Sequence, residues 1–295
     1  MKNFSTSLSL FSRNLSLNLE GKIMDLSTPR IMGIINTTPD SFYDGSRLPD
    51  PGQALERARQ MIHDGAHILD VGAVSSRPGA EEISEQEEMD RLWPVLEALR
   101  KDFPDFPISV DTWRSGVVRR TRENFGINLI NDITAGLRDE EMFKTVSELG
   151  LPYIMMHMQG SPEDMQESPE YTHVVDDLLQ FFSERVYKLR KLGLNDIIID
   201  PGFGFGKTLE QNYVLLKELH SFQMFELPLM VGISRKSMIY KVLETDPEHA
   251  LAGTTAAHMA ALIQGAGLLR VHDVKEAADT VKIFNQIVNS PGRSV

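Results

Sequence analysis

Polar side chains able to do chemistry recur at one place in this chain: the end of a short apolar run. Asn36, Asp70, Asp111, Asn131-Asp132, His157 and Asp200 each close such a run, Ser234-Arg235-Lys236 follows another, and Arg270 and His272 flank the end of the last. Taken singly, an aspartate after a strand is most often an N-cap or a turn residue. Eight units sharing the pattern describe a site. Asp111, Asn131, Asp200 and Lys236 supply carboxylates, an amide and an ammonium. Such a set can read the donor and acceptor edges of a flat nitrogen heterocycle through charge-assisted hydrogen bonds. Asn36, Arg77, Arg270 and His272 form a second set, suited to phosphate oxygens.

The runs that must position these groups cover 31–36, 67–71, 108–111, 128–131, 153–157, 197–200, 229–233 and 268–272. They are continuously apolar rather than alternating, as expected of parallel strands buried on both faces. Helix-period stretches lie between them at 51–64, 84–101 (with Pro94 inside), 140–149, 174–192 and 209–219, and two more lie at 250–264 and 275–289. Ser84 and Glu87 have capping-box spacing, and Gly65, Gly150 and Gly193 are placed as C-terminal caps. Eight such units predict a single α/β domain, a (β/α)8 TIM barrel, over 22–295, preceded by an N-terminal extension at 1–21. A short hairpin is expected across 15–25, turned at Glu20-Gly21. In a parallel barrel all the polar ends share the C-terminal rim, where barrel active sites are built.

Composition narrows the function classes. The net charge of −12 and the 41% hydrophobic content suit a globular protein and argue against a general binder of nucleic acid or anionic membrane. An anionic substrate must then be met by locally concentrated basic residues. The chain has no cysteine, which removes thiolate catalysis, zinc-thiolate sites and disulfides and fits the cytoplasm. No segment reaches the roughly 18 apolar residues of a membrane span, and the first residues lack the continuous apolar core of a signal peptide. The 202–208 segment, GFGFGKT, has three residues between its first glycine and the Gly-Lys pair. A Walker loop needs four, so that match fails. The histidines show no HExxH-type spacing; His63, His67, His173, His220, His249 and His258 read as surface or packing residues.

Nine segments, in this order and spacing, carry a specific resemblance: MGIINTTPDSFYDG (32–45), ILDVGAVSSRPGA (68–80), ISVDT (108–112), INDITAG (130–136), MMHMQG (155–160), DPGFGFGKTLEQN (200–212), VGISRKS (231–237), AGTTAAHMAA (252–261) and LLRVHDV (268–274). Across 22–287 the chain resembles the dihydropteroate synthases. The resemblance implies a (β/α)8 barrel and a transferase of folate biosynthesis. Its reaction joins 4-aminobenzoate to 6-hydroxymethyl-7,8-dihydropterin diphosphate. It further implies that Asp111, Asn131, Asp200 and Lys236 hold the pterin, and that Asn36, Arg77, Arg270 and His272 hold the diphosphate, with Mg2+ near Asn36. Ser76, Arg77, Pro78, Phe205 and Ser234 would frame the aminobenzoate. Asp111, Lys236, Arg270 and His272 would carry the catalysis, with Asp111 stabilising a pterin cation and the Arg270/His272 pair the departing diphosphate. A cytoplasmic homodimer, a target of sulfonamides, is also implied.

One loop departs from the family. Where it commonly reads Gly-Gly-Glu-Ser-Thr-Arg-Pro-Gly, this chain has Gly72-Ala73-Val74-Ser75-Ser76-Arg77-Pro78-Gly79. Ser76 keeps a hydroxyl, Val74 removes a charge, and Ala73 narrows backbone freedom, so the response to aminobenzoate mimics is open. Two other readings share part of the pattern. A methyltetrahydrofolate:corrinoid methyltransferase would keep the pterin-edge residues without needing the NTTPDSF, SSRPG and SRKS loops together. A non-catalytic pterin-binding paralogue would have no reason to hold the whole set of Asn36, Arg77, Asp111, Lys236, Arg270 and His272.

Overall fold

The computed structural model describes residues 15–37, 50–75, 82–160 and 171–291. Two short strands, β1 (Ser16–Leu19) and β2 (Lys22–Asp25), precede eight more: β3 (Arg30–Asn36), β4 (Ile68–Gly72), β5 (Ile108–Asp111), β6 (Leu129–Asp132), β7 (Tyr153–Met156), β8 (Ile197–Asp200), β9 (Met230–Val231) and β10 (Leu268–Val271). These eight form one parallel sheet in the order β8-β7-β6-β5-β4-β3-β10-β9. A bridge between Ile199 and Leu229 joins its two ends and closes the ring. The expected (β/α)8 barrel is therefore present. The seventh barrel strand is shorter than the apolar run that marks it, because the chain beyond Gly232 leaves the ladder for a tight turn at Ser234–Lys236.

Each strand sorts its side chains by the two-residue period of β structure. Leu69, Val71, Ile108, Val110, Ile130, Tyr153, Ile197, Ile199, Leu269 and Val271 pack into one large cluster with the surrounding helices. Their inward neighbours Met32, Ile68, Leu129, Ile154, Ile198, Met230 and Leu268 form a separate apolar floor inside the barrel. One step higher the inward positions turn polar, at Asp70, Asp111, Asn131, Asp200 and Arg270. Above that layer Trp113, Ile133, Met156 and Met158, with Val74 and Phe205, make an apolar patch at the C-terminal end.

The hairpin of β1 and β2 explains how the floor stays dry. Glu20 and Gly21 both have positive φ, at 54° and 85°, the backbone of a two-residue turn whose twist matches the strands it joins. Leu17, Leu19 and Leu26 are thereby pressed onto the floor and are almost wholly buried. Burial of this kind stabilises by about 2 kcal/mol per leucine. The plug occupies the N-terminal mouth, and the polar layer lies toward the C-terminal one.

The helices are α1 (Pro51–Asp64), α2 (Glu85–Asp102), α3 (Ser115–Phe125), α4 (Met142–Glu148), α5 (Val174–Lys191), α6 (Leu209–Lys217), α7 (Ser237–Tyr240), α8 (Leu251–Ile263) and α9 (Val274–Asn289). Three of them, α1, α2 and α6, start on a side-chain cap. The Asp50 side chain accepts from the Gly52 N–H at 2.8 Å at the start of α1, and Gly65 closes that helix in the left-handed region. Ser84 accepts from the Glu87 N–H at 3.2 Å, and Thr208 and Gln211 form a complete capping box that starts α6 directly after the glycine-rich turn. No helix among the described residues is long and apolar enough to cross a membrane.

Candidate active site

Arg270, carried inward by β10, organises the polar layer. Its Nε donates to Asp70 Oδ2 at 2.7 Å and its Nη2 donates to Asp111 Oδ2 at 2.7 Å. Asn131 Nδ2 donates to the same Asp70 oxygen at 3.0 Å. One guanidinium thus bridges two carboxylates from neighbouring strands, and the amide locks the buried one. Burial pushes the Asp111 carboxyl up to about 7; Arg270 opposes the shift and Asp70 adds to it. For Arg270 burial works against the charge, but Asp70 and Asp111 outweigh it and hold the guanidinium ionised. Arg270, assigned to phosphate recognition, is therefore bonded into the same group as Asp111 and Asn131, assigned to the ring. Asp70, visible in the sequence only as the end of an apolar run, is its buried anchor.

Asp200 and Lys236 face the same mouth from β8 and from the turn after β9. Asp200 Oδ1 accepts from the Gly202 N–H at 2.8 Å; burial raises its pKa, while Lys236 opposes that rise. Lys236 Nζ donates to the Phe203 carbonyl at 2.5 Å and lies 4.3 Å from the Phe205 ring centroid, within cation–π range. Burial lowers its ammonium to about 8, against the pull of Asp200 and Asp111. Asp132, next to Asn131, takes no part in the mouth. Its carboxylate accepts from Thr134 and Gly136 backbone N–H groups at 2.7 and 2.8 Å and from the Tyr153 hydroxyl at 2.5 Å, outside the barrel lumen.

The turn that catches Lys236 depends on glycine. Gly202 has φ 73°, and a Cβ there would sit 2.0 Å from the His157 carbonyl oxygen. Gly202→Ala is accordingly expected to destabilise the protein by about 2–4 kcal/mol, from left-handed strain plus the clash. Urea unfolding followed by circular dichroism measures this; an unchanged midpoint would contradict the close approach.

Ser234 and His272 meet between the turn after β9 and the end of β10. The His272 N–H donates to Ser234 Oγ at 3.3 Å, and its ring Nδ1 lies 3.4 Å from the same oxygen. Burial, helped by Arg270 and Arg57, lowers the imidazole to about 4. At neutral pH His272 is therefore a neutral hydrogen-bonding group rather than a cation. Arg235, between Ser234 and Lys236, points elsewhere. It pairs with Asp273 through two bonds at 2.8 and 3.0 Å and donates to the Pro247 and Glu248 carbonyls. These contacts hold its φ of 54° and let Ser234 and Lys236 face the mouth from either side.

Asn36 ends β3, exposed at the rim, with Thr37 buried behind it. Among the described residues no three His, Asp or Glu side chains are grouped to hold a metal. One amide oxygen at an open rim cannot cage an ion. It does suit Mg2+, which keeps much of its water and is commonly bound together with substrate phosphates. Ser76, Arg77 and Pro78 lie outside the described residues. Two groups escaped the sequence reading besides Asp70. Trp113, two residues past Asp111, anchors the apolar rim patch with the Arg114 and Arg138 guanidiniums 4.9 and 5.1 Å from its ring. Lys207 is buried beneath the glycine-rich turn; its only signal was its place in a loop that fails the Walker spacing.

A family model described as pterin binding enzyme matches residues 32–272. Dihydropteroate synthase of Escherichia coli (strain K12) is 43% identical over 278 residues, which cover 94% of this chain and 98% of that one. The crystal structure of Yersinia pestis dihydropteroate synthase in complex with a sulfonamide drug superposes with a TM-score of 0.88 at 42% identity, over 94% of this chain and all of that one. Xanthomonas albilineans dihydropteroate synthase with 4-aminobenzoic acid superposes with a TM-score of 0.86 at 36% identity, over 94% and 99%.

Proposed function

Because the chain belongs to the dihydropteroate synthase family of pterin-binding enzymes, we infer that its barrel mouth is the active site of that transferase. It joins 6-hydroxymethyl-7,8-dihydropterin diphosphate to 4-aminobenzoate, releasing diphosphate and 7,8-dihydropteroate. The observation that carries this reading is the Asp70–Arg270–Asp111 bridge with Asn131, facing Asp200 and Lys236 across one open mouth. Buried carboxylates beside an amide match the ring N–H and amino donors of a pterin. Asn131, Asp200 and Lys236 would hold the ring edge, and Asp111 would face the side where positive charge develops.

The chemistry then needs little from the protein beyond placement and charge. The bond between the pterin methylene and the diphosphate oxygen breaks with its electron pair on the leaving group. The aminobenzoate nitrogen adds to the methylene and gives up a proton, with no enzyme nucleophile. Asp111 stabilises the cationic methylene electrostatically, while Arg270, the neutral His272, Asn36 and Arg77 receive the anion. Mg2+, held by Asn36 together with the substrate, would neutralise diphosphate charge. Ser234, Phe205, Ser76, Arg77 and Pro78 would frame the aminobenzoate. A steady-state assay with both substrates and Mg2+ tests the reading, and folded protein that releases no diphosphate would overturn it.

The charge states set a pH dependence. Asp111, raised to about 7, gains its carboxylate as pH rises through that value; Lys236, lowered to about 8, loses its ammonium as pH rises further. The profile of kcat/KM for the pterin substrate is expected to be bell-shaped, falling below about 7 and above about 8. A flat profile from 6 to 9 would remove both groups from pterin recognition.

We also propose a cytoplasmic homodimer. The absence of cysteine suits a reducing compartment, and α8 and α9 expose Ile263, Ile283, Ile287 and Val288, apolar surface that a second copy would cover. Sedimentation equilibrium distinguishes dimer from monomer.

A further inference from the structure

Lys207 is buried, 4% exposed, yet no carboxylate accepts from it among the described residues. Its Nζ instead donates to the carbonyls of Phe205 at 2.9 Å, Gly202 at 3.0 Å and His157 at 3.2 Å, and lies 3.1 Å from His157 Nδ1. A burial this deep is expensive for an ammonium unless its protons are all used, and here every one of them meets an acceptor. All four acceptors belong to two segments, the end of β7 and the 202–206 turn. Burial and the neighbouring lysine keep the His157 ring neutral, so Nδ1 is free to accept. The Phe181 ring, edge-on at 4.6 Å, fixes the imidazole plane.

The tied turn would be loose without such a clasp. Gly202, Gly204 and Gly206 all have positive φ, and within the turn the Phe205 N–H donates to the Gly202 carbonyl at 3.2 Å. Asp200 holds the Gly202 N–H, Asn212 holds the Gly204 N–H at 2.7 Å, and the Tyr171 hydroxyl donates to the Gly206 carbonyl at 2.8 Å. Lys207 is the contact that draws the Gly202 and Phe205 carbonyls inward together. Between those two residues sits the Phe203 carbonyl, which accepts from Lys236, and Phe205 itself supplies the ring beside that ammonium.

We propose that Lys207 is a positioning residue. It clasps the 202–206 turn to the end of β7, so that the Phe203 carbonyl and the Phe205 ring place Lys236 in the mouth and Phe205 against the aminobenzoate. The proposal rests on the synthase reading for what occupies the mouth. The Asn212 amide, donating to the Lys207 and Thr208 carbonyls at 3.3 and 2.7 Å, carries the clasp on into α6.

The test is steady-state kinetics of the full chain with Lys207→Met, which keeps the length and removes every donor. The KM for aminobenzoate is expected to rise about tenfold, that for the pterin substrate by less, and kcat to stay within roughly threefold, the pattern of lost pre-organisation rather than lost chemistry. Lys207→Gln, which keeps amide donors, should recover part of the aminobenzoate KM and serves in place of methionine if that variant does not fold. Unchanged KM values with only a lower unfolding midpoint would overturn the proposal and leave Lys207 a packing residue. Wild-type protein that releases no diphosphate would instead overturn the synthase reading, so the two failures are separable.

Discussion

Arg270→Met is expected to lower kcat/KM by roughly a thousandfold, the scale on which a positioned electrostatic donor contributes to catalysis. Stability should fall by about 3–5 kcal/mol as well, because the substitution strands the buried Asp70 carboxylate and the partly buried Asp111 carboxylate, which shared one cation. Both losses come from the same geometry, the guanidinium held at 2.7 Å from Asp70 and from Asp111. Arg270 is what holds Asp111 down toward 7 against burial. Without it the acid limb of the pH profile should move upward, so that a higher pH is needed to ionise Asp111. Arg270→Lys keeps a charge but cannot span both carboxylates, and should fall between. If Arg270 served the diphosphate alone, a pterin lacking diphosphate would bind the methionine variant normally. The bridge predicts that this binding weakens too, measured by calorimetry. An acid limb that stays near 7 in the variant would remove the bridge from the mechanism.

How much of this was legible in the chain differs by the kind of interaction. The barrel was legible because strands buried on both faces leave long apolar runs, and their polar ends stand out against them. Helix α3 was not, because its buried Val117, Val118, Thr121 and Phe125 are interleaved with arginines. The inward residues could be assigned to one rim, but spacing cannot show pairing. Arg270 is 200 positions from Asp70 and 159 from Asp111, and only the closed ring brings them together. Sorting residues into ring and phosphate sets does not reveal that Arg270 bonds to Asp70 and Asp111. The charge state of His272 is hidden for a related reason: burial, helped by Arg270 and Arg57, depresses its basicity, and burial is not written in a motif.

The acidic total of the chain takes on a local meaning here. Asp70, Asp111 and Asp200 face Arg270 and Lys236 inside the mouth, so the polar layer is not a positive pocket in the free protein. It is a nearly balanced set whose carboxylates are poised for a donor-rich ring. On the proposed function, charge for the diphosphate would come from Arg77, from a metal carried with the substrate, and from Arg270. Such a division lets the floor of the site favour a cation while its rim favours an anion, which is the separation that breaking the methylene–oxygen bond requires.

Lys236→Ala isolates the ring side of that division. Pterin affinity is expected to fall about a hundredfold, or about 2.7 kcal/mol, within the range for hydrogen bonds to charged groups. Stability should change little, because the Lys236 ammonium makes its hydrogen bond to a single carbonyl, that of Phe203, and removing a buried cation refunds part of its desolvation. This contrast with Arg270 is the diagnostic: one variant loses affinity and fold together, the other affinity alone. The alkaline limb expected near 8 is that of this ammonium, so it should vanish in the alanine variant while the acid limb of Asp111 persists. Asp200, deprived of the lysine that opposes its raised pKa, should hold its proton to higher pH and bind ring donors less well, so part of the affinity loss should be recovered by raising the pH. Calorimetric titration of the pterin against pH reads all three effects at once. A persistent limb near 8, or unchanged affinity, would mean that Lys236 faces the mouth without touching what binds there.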